Sequence, residues 1–287
     1  RDYYASRGLG DVYKRQGKDG ADATESVEDV PGTEEQISTE TGEGTTGQVL
    51  QNTQIENVSS LDATSHDWGL GSHTDDENRP LDAVNAQETY GKYNAYFIGD
   101  DTKDIYLTFD EGYEYGQTES ILNTLKEKGV SATFFVTEPY AKDNPDLVRR
   151  MIDEGHVLGN HSVTHPSAGM PSLSLDKQEN EVTENHAYIK ENFGYDMYLF
   201  RYPTGRFSEQ SLALLNNCNY KSIFWSFAYL DYDVNNQPDH ASSLQKMKDK
   251  LHPGAIYLLH AESETNAAVL GDFIDAVRAA GYGFKNF

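Results

Sequence analysis

A single cysteine, Cys218, in 287 residues excludes any internal disulfide. Packing and hydrogen bonding must therefore hold the fold, and the redox compartment is left open. Basic side chains are also scarce: 23 Lys and Arg stand against 47 Asp and Glu, a formal net charge of -24. Phosphate recognition needs a cationic face, so nucleic acid is excluded as a partner. No apolar run approaches the roughly 18 residues that a membrane-spanning helix requires.

Apolar residues are fewest near the start. From Gly17 to about His66 eleven acidic residues, from Asp19 to Asp62, face one Lys18 among Gly, Thr, Ser and Gln. So little apolar surface cannot offset the entropy of ordering, and 17–66 is expected to be a disordered acidic tether. Residues 11–16, DVYKRQ, resemble the translation of a sequencing adaptor. Residues 1–16 are accordingly set aside as an artefact, with the native N-terminus and any export signal lost. Order is expected to begin near Trp68. Trp68, Pro80, Tyr90, Tyr93, Tyr96 and Phe97 give an N-terminal arm (67–104) enough aromatic surface to dock on a larger body.

From Ile105 onward strand-like and helix-like runs alternate. Strands are expected at 105–109, 132–136, 156–159, 197–200, 222–225 and 255–259, with a weaker one at 283–284. Ile121, Leu122 and Leu125 share a helical face, as do Leu147, Val148, Met151 and Ile152, and Leu270, Ile274 and Val277. Gly129, Gly155 and Gly281 sit where these helices should stop. The alternation implies α/β architecture, with parallel strands and crossover helices. About seven units suggest a closed or nearly closed barrel.

The unusual polar residues collect at the strand ends. Asp110 and Glu111 close the first strand in TFDEG; His161 and His165 (HSVTH) follow the third; Arg201 follows the fourth; Asp231 lies beyond the fifth; His260 follows the sixth. The C-terminal ends of the strands are where parallel barrels build active sites. Asp110 and Glu111 alone would read as an acidic loop on an acidic protein. The histidines are four apart, so a helical turn would put both rings on one face, and with a carboxylate they would make an open, catalytic metal site. His156 is taken as structural.

TFDEGYE, HSVTH, RYPTG, WSFAYLDY and LLH, in this order and spacing, resemble the five motifs of the polysaccharide deacetylases, carbohydrate esterase family 4 or NodB-homology domain. The resemblance runs from about Trp68 to Phe287 and leans toward the N-acetylmuramic acid deacetylases of delta-lactam biosynthesis. It implies a distorted, incomplete (β/α) barrel and a divalent metal, zinc with cobalt or manganese as alternatives, on His161, His165 and Glu111. It also implies Asp110 as general base paired with Arg201, and His260 as general acid oriented by Asp231. Tyr202, Pro203, Arg206, Leu258, Trp225 and Tyr232 fall on its oxyanion and substrate-binding positions. The implied partner is peptidoglycan or a related glycan, met outside the cytoplasm by a monomer; no protein partner is implied. Three positions depart from the family. Glu111 stands where most members carry Asp, and Tyr232 where Trp is usual. Thr204 stands where the muramic-acid group tends to carry an arginine, a task expected to pass to Arg206. N-acetylglucosamine of peptidoglycan or chitin is the alternative substrate. A wall-binding barrel without catalysis is the alternative class, disfavoured because Asp110, Arg201, Asp231 and His260 occur together.

Overall fold

The computed structural model describes residues 46–287. The expected artefact at 1–16 and the tether as far as residue 45 lie outside the described residues. In chain order the arm carries β1 (His66–Asp67), α1 (Leu81–Tyr90) and β2 (Ala95–Tyr96). The first half of the barrel is β3 (Asp104–Glu111), α2 (Thr118–Lys128), β4 (Thr133–Val136), α3 (Glu138–Asp143), α4 (Pro145–Asp153) and β5 (Val157–Asn160). Then come α5 (Leu175–Phe193), β6 (Leu199–Phe200), β7 (Arg206–Phe207), α6 (Glu209–Asn217) and β8 (Lys221–Ile223). The chain closes with α7 (His240–Asp249), β9 (Ile256–His260), α8 (Glu264–Ala279) and β10 (Gly283–Phe284).

The sheet order is β10-β3-β4-β5-β6-β8-β2, with β9 also paired to β3, and every pair in it is parallel. One bridge beyond β8, Phe227 to Tyr257, brings the two ends of the curl together. This is the expected distorted, incomplete barrel. It holds one strand more than expected, because Ala95 and Tyr96 of the arm pair with Ser222 and Ile223.

Side chains along each strand alternate between two environments. On β3, Tyr106 joins Phe135, Val157, Tyr198, Leu199, Ile223 and Ile256 inside the barrel. Ile105, Leu107 and Phe109 face the helical layer, where they meet Ile121, Leu122 and Leu125 of α2 and Leu270, Ile274 and Val277 of α8. Burying each of these large side chains contributes about 1.5–3 kcal/mol. The helix α2 stops at Gly129, whose left-handed φ of 60° lets its N–H return to Leu125 and Lys126 carbonyls.

The tether boundary needs correction. Residues 46–66, expected to be disordered, form an ordered strap. The Gln48 N–H donates to the Asp196 carbonyl (3.0 Å), and Asn52 bonds to Asn219, Asn216 and Tyr220. The Ile55 N–H donates to Asn217 Oδ1 at 2.8 Å. The strap is held by asparagine side chains at the end of α6, with Ile55, Val58 and Leu61 half-buried against the core beside them, and composition does not report those hydrogen bonds. The arm docks through its aromatics as expected: Trp68 lies 4.6 Å from the Phe97 ring and donates Nε1–H to the Trp225 carbonyl at 3.0 Å.

Candidate active site

Alternation on β3 decides what its two terminal acids can do. In register, Thr108 faces Leu258 and Asp110 faces His260 across the β3–β9 pair. Asp110 therefore points into the barrel mouth, and Glu111 points the other way, toward the helices. Arg201, just beyond β6, is fully buried and donates to Asp110 Oδ1 at 2.9 Å and Thr108 Oγ1 at 2.7 Å through Nη1. Its Nε and Nη2 donate to the Ile223 and Phe224 carbonyls, both at 3.1 Å, and its guanidinium lies 4.3 Å from the Phe135 ring centre. That ring reaches inward because residue 159 is glycine: a Cβ there would stand 2.4 Å from Phe135 Cδ1. Burial opposes the charge on Asp110, but Arg201, with His161 and His260, outweighs it and holds the carboxyl below its ordinary range.

The two histidines meet, though not on a helix. HSVTH is a loop with two left-handed residues, Ser162 (φ 74°) and His165 (φ 47°). The His161 N–H continues the β4–β5 pairing to the Val136 carbonyl, and the Ser162 hydroxyl accepts the His165 N–H at 3.0 Å. The loop thus curls back and brings the ring centres within 4.8 Å. His161 Nδ1 lies 2.9 Å from the Arg201 carbonyl, which fixes that nitrogen as the donor and leaves Nε2 facing Asp110 Oδ2 at 3.6 Å. His165 Nδ1 is buried with no hydrogen-bond partner. Burial lowers both imidazoles, His165 to about 3 with the help of His161, so both are neutral at pH 7. A tautomer held by a carbonyl beside an orphaned imidazole nitrogen fits a divalent metal.

The third expected ligand does not join them. Among the described residues, no group of three or more His, Cys, Asp or Glu side chains is arranged to hold a metal. Glu111 is fully buried; its Oε2 accepts from Thr118 Oγ1 at 3.5 Å, and its Oε1 has no partner. Burial, with Glu114 and Glu262 nearby, pushes its carboxyl well above the ordinary value. The cause is the two-residue period of the strand: adjacent acids on β3 cannot face one cavity.

Opposite Asp110 stands a second pair. Asp231 Oδ1 lies 2.7 Å from His260 Nδ1, and Oδ2 accepts the His260 N–H at 2.9 Å and Asn266 Nδ2 at 2.6 Å. Burial pulls His260 down, but Asp231 overrides it and lifts the imidazole to about 9. Leu258 shares the inward face of β9, and Tyr232 packs edge-on to His260 with ring centres 5.6 Å apart. Tyr202 is buried with its ring stacked on Phe224 at 5.3 Å, which pins the backbone after Arg201. Pro203 opens a turn in which Thr204 takes φ 62°, and a Cβ on Gly205 would stand 2.6 Å from the Trp225 ring. Arg206 is paired with Asp67 across the antiparallel β1–β7 ribbon. His156 is structural as expected, its Nδ1 accepting the Ala132 N–H at 3.1 Å.

Sequence reasoning missed Thr108, Asn266 and Glu262. Glu262, two residues past His260, is raised to about 7 by burial. Thr108 carried a signal, a hydroxyl two residues before Asp110 and so on the same strand face. Asn266 carried none, since its reach to Asp231 depends on how α8 packs.

A polysaccharide deacetylase family model matches residues 98–223. A Geobacillus stearothermophilus protein described as an uncharacterized 30.6 kDa protein in the fumA 3' region is 42% identical over 226 residues, 78% of this chain and 84% of its own. The peptidoglycan-N-acetylmuramic acid deacetylase PdaA of Bacillus subtilis is 42% identical over 197 residues, 68% of this chain and 74% of its own. The solved structure of Bacillus subtilis PdaA, described as a family 4 carbohydrate esterase, matches with a TM-score of 0.73 at 36% identity, covering 78% of this chain and 96% of that one. These relatives and the Asp110–Arg201 and Asp231–His260 pairs at the barrel mouth agree: the chain belongs to the polysaccharide deacetylases, the family 4 carbohydrate esterases, and is a deacetylase of the hydrolase class.

Proposed function

We propose that the protein removes the acetyl group from N-acetylmuramic acid residues of peptidoglycan that have lost their peptide, a step toward muramic delta-lactam, with a divalent metal as cofactor. The observation that carries the chemistry is the opposition of two carboxylates with different partners: Asp110 on Arg201 and Asp231 on His260. The muramic-acid assignment is supported by the likeness to PdaA.

His161 through Nε2 and His165 would hold the ion, zinc or else cobalt or manganese, which when bound supplies Lewis acidity to the acetamide carbonyl and to a water. Asp110 takes a proton from the attacking water, and Arg201 keeps its carboxylate ionised and oriented. As the water oxygen bonds to the acetyl carbon, negative charge gathers on the former carbonyl oxygen, where the Tyr202 backbone N–H is the protein donor. His260, protonated at neutral pH, gives its proton to the sugar nitrogen as the C–N bond breaks. Asp231 keeps the imidazole upright through Nδ1 and offsets its charge. Leu258 bounds the pocket for the acetyl methyl, and Tyr232 and Trp225 supply groove walls for the sugar. The products are acetate and a free amine.

N-acetylglucosamine of peptidoglycan or chitin is the second substrate reading, favoured by one observation: Arg206 already faces Asp67, so its charge is committed before any lactyl carboxylate arrives. A glycan of the wall places the protein outside the cytoplasm. Among the described residues no helix is long and apolar enough to cross a membrane. Acetate release from peptide-free muramyl glycan and from an N-acetylglucosamine oligomer, each with zinc and with chelator, separates the readings. Zinc-dependent release from the muramyl glycan is expected. Release from the glucosamine oligomer alone would reject the substrate and keep the chemistry, and none from either would reject both.

A further inference from the structure

The helix α5 is unusual in what it buries. Its inward positions are Gln178, Val182, Asn185 and Ile189, so half of the stripe is polar. A surface helix normally offers an apolar stripe to the core. Gln178 donates to the Leu173 carbonyl at 3.0 Å, while Asn185, with Glu181 beside it, is spent on the loop that carries the two histidines. The Val163 and Thr164 N–H groups donate to Glu181 Oε2 at 2.9 and 2.8 Å, and the Thr164 hydroxyl donates to Oε1 at 2.6 Å. Four residues on, the fully buried Asn185 shares its Nδ2 protons among the Val136 carbonyl (3.0 Å), Asn160 Oδ1 (2.9 Å) and the Ser162 carbonyl (3.1 Å). Asn160 Oδ1 also accepts the Ser162 N–H at 2.9 Å. The loop holds two non-glycine residues in the left-handed region, Ser162 and His165, and such a shape persists only where its surroundings over-determine it.

We infer that Glu181 and Asn185 of α5 are positioning residues, clamping residues 160–164 so that His161 and His165 face each other at the spacing one divalent ion requires. Neither reaches the reacting atoms. Asn185 fixes the start of the loop at Ser162, and Glu181 fixes Val163 and Thr164, the two residues just before His165. With both ends held, the histidine rings meet without a helix, and the site needs little reordering when the ion enters. The inference rests on the proposed metal at these histidines.

Glu181→Ala is the test, because Glu181 sits near the surface and can be removed with little loss of packing. Two quantities are read on the folded protein: the zinc Kd, and hydrogen exchange at the Val163 and Thr164 amides in the metal-free form. The Kd is expected to rise about 10- to 100-fold, the range for groups that orient metal ligands, with faster exchange at both amides. Glu181→Gln, which keeps one acceptor oxygen, should recover part of each. Thr183→Ala, an exposed change on the same helix, should alter neither. A residue that only stabilised the fold would lower the melting temperature and leave the zinc Kd of the folded protein alone, so a wild-type Kd with wild-type exchange in Glu181→Ala overturns the clamp. Wild-type protein that takes up no zinc sinks the metal reading, and the exchange rates then decide the clamp separately. Should Glu181→Ala fail to fold, Thr164→Val removes a single bond of the same clamp and reads the same two quantities.

Discussion

Replacing Asp231 with asparagine removes the charge that raises the His260 imidazole and suits it to the proposed role of acid. The structure sets the size of the effect. Burial pulls the imidazole down, yet Asp231 at 2.7 Å leaves it at about 9 against an ordinary 6.5. That rise corresponds to about 3 kcal/mol in favour of the imidazolium. In Asp231→Asn the burial remains while Asp110 and Glu262 are the carboxylates left to oppose it, so the ring should titrate at about 6.5 or below. Wild-type kcat/KM should fall on the alkaline side through about 9. In the variant that limb should move to about 6.5, with maximal turnover about 10²- to 10⁴-fold lower because proton donation to the leaving amine is lost. Stability should follow the same group. A histidine raised in the folded state adds stability that is complete below its unfolded pKa and is lost as pH rises through the folded one. The wild type should therefore lose part of its stability between about pH 6.5 and 9, and the variant should not. NMR titration of the His260 ring with a pH–rate profile checks both arms. A ring in Asp231→Asn that still titrates near 9, or an alkaline limb that stays in place, would refute the reasoning.

Asp110→Asn should lower turnover about 10²- to 10⁴-fold by removing the base. It should also cost about 3 kcal/mol of stability, because the fully buried Arg201 loses its counter-charge; acetate release and urea melts measure the two separately. Thr204→Gly should raise stability by about 0.5–1 kcal/mol, since left-handed strain on a β-branched residue exceeds the extra unfolded-state entropy of glycine. An unchanged melting temperature would show that the turn at Thr204 is unstrained. Glu111→Gln should leave zinc affinity unchanged, because the carboxylate faces Thr118 and not the histidines; calorimetry showing a large loss of affinity would return Glu111 to the metal.

The barrel was legible because its signals are local. Strand runs, helix faces such as Ile121, Leu122 and Leu125, and a stop such as Gly129 each follow from period and backbone geometry over a few residues. Part of the constellation at the barrel mouth was legible in the same way: Asp110, Arg201 and His260 sit at strand ends, which could be read, and Asp231 lies in the loop beyond β8. Two of the failures share a cause, which is that polar adhesion leaves no hydrophobic signature. The strap at 46–66 is tied through Asn52 and Ile55 to Asn216, Asn217 and Asn219 at the end of α6, partners that the composition of the segment does not contain. The buried stripe of α5 includes Gln178 and Asn185 beside Val182 and Ile189, so half of its core face carries no apolar residue to read. Glu111 was misplaced by a different route. Reading the dipeptide as one acidic site ignored that β3 continues through it, and alternation sends neighbours to opposite faces.

The partner each carboxylate faces explains how one mouth keeps the proposed base and acid apart. Asp110 and Asp231 are both buried carboxylates, and a buried charge persists only where a partner offsets it. Asp110 instead faces a guanidinium that cannot release its proton, so the carboxylate stays ionised and can accept one. Asp231 faces an imidazole that can release its proton, so its charge is spent on raising that imidazole. The protonation state that the proposed reaction requires, Asp110 ionised and His260 protonated, is therefore the resting state at pH 7 and needs no prior exchange between the pairs. Holding it depends on the burial of Arg201, whose three nitrogens all donate to β3 or to carbonyls in and just after β8. The barrel wall thus fixes Asp110 directly, while the Asp231–His260 pair is fixed from the helical layer through Asn266.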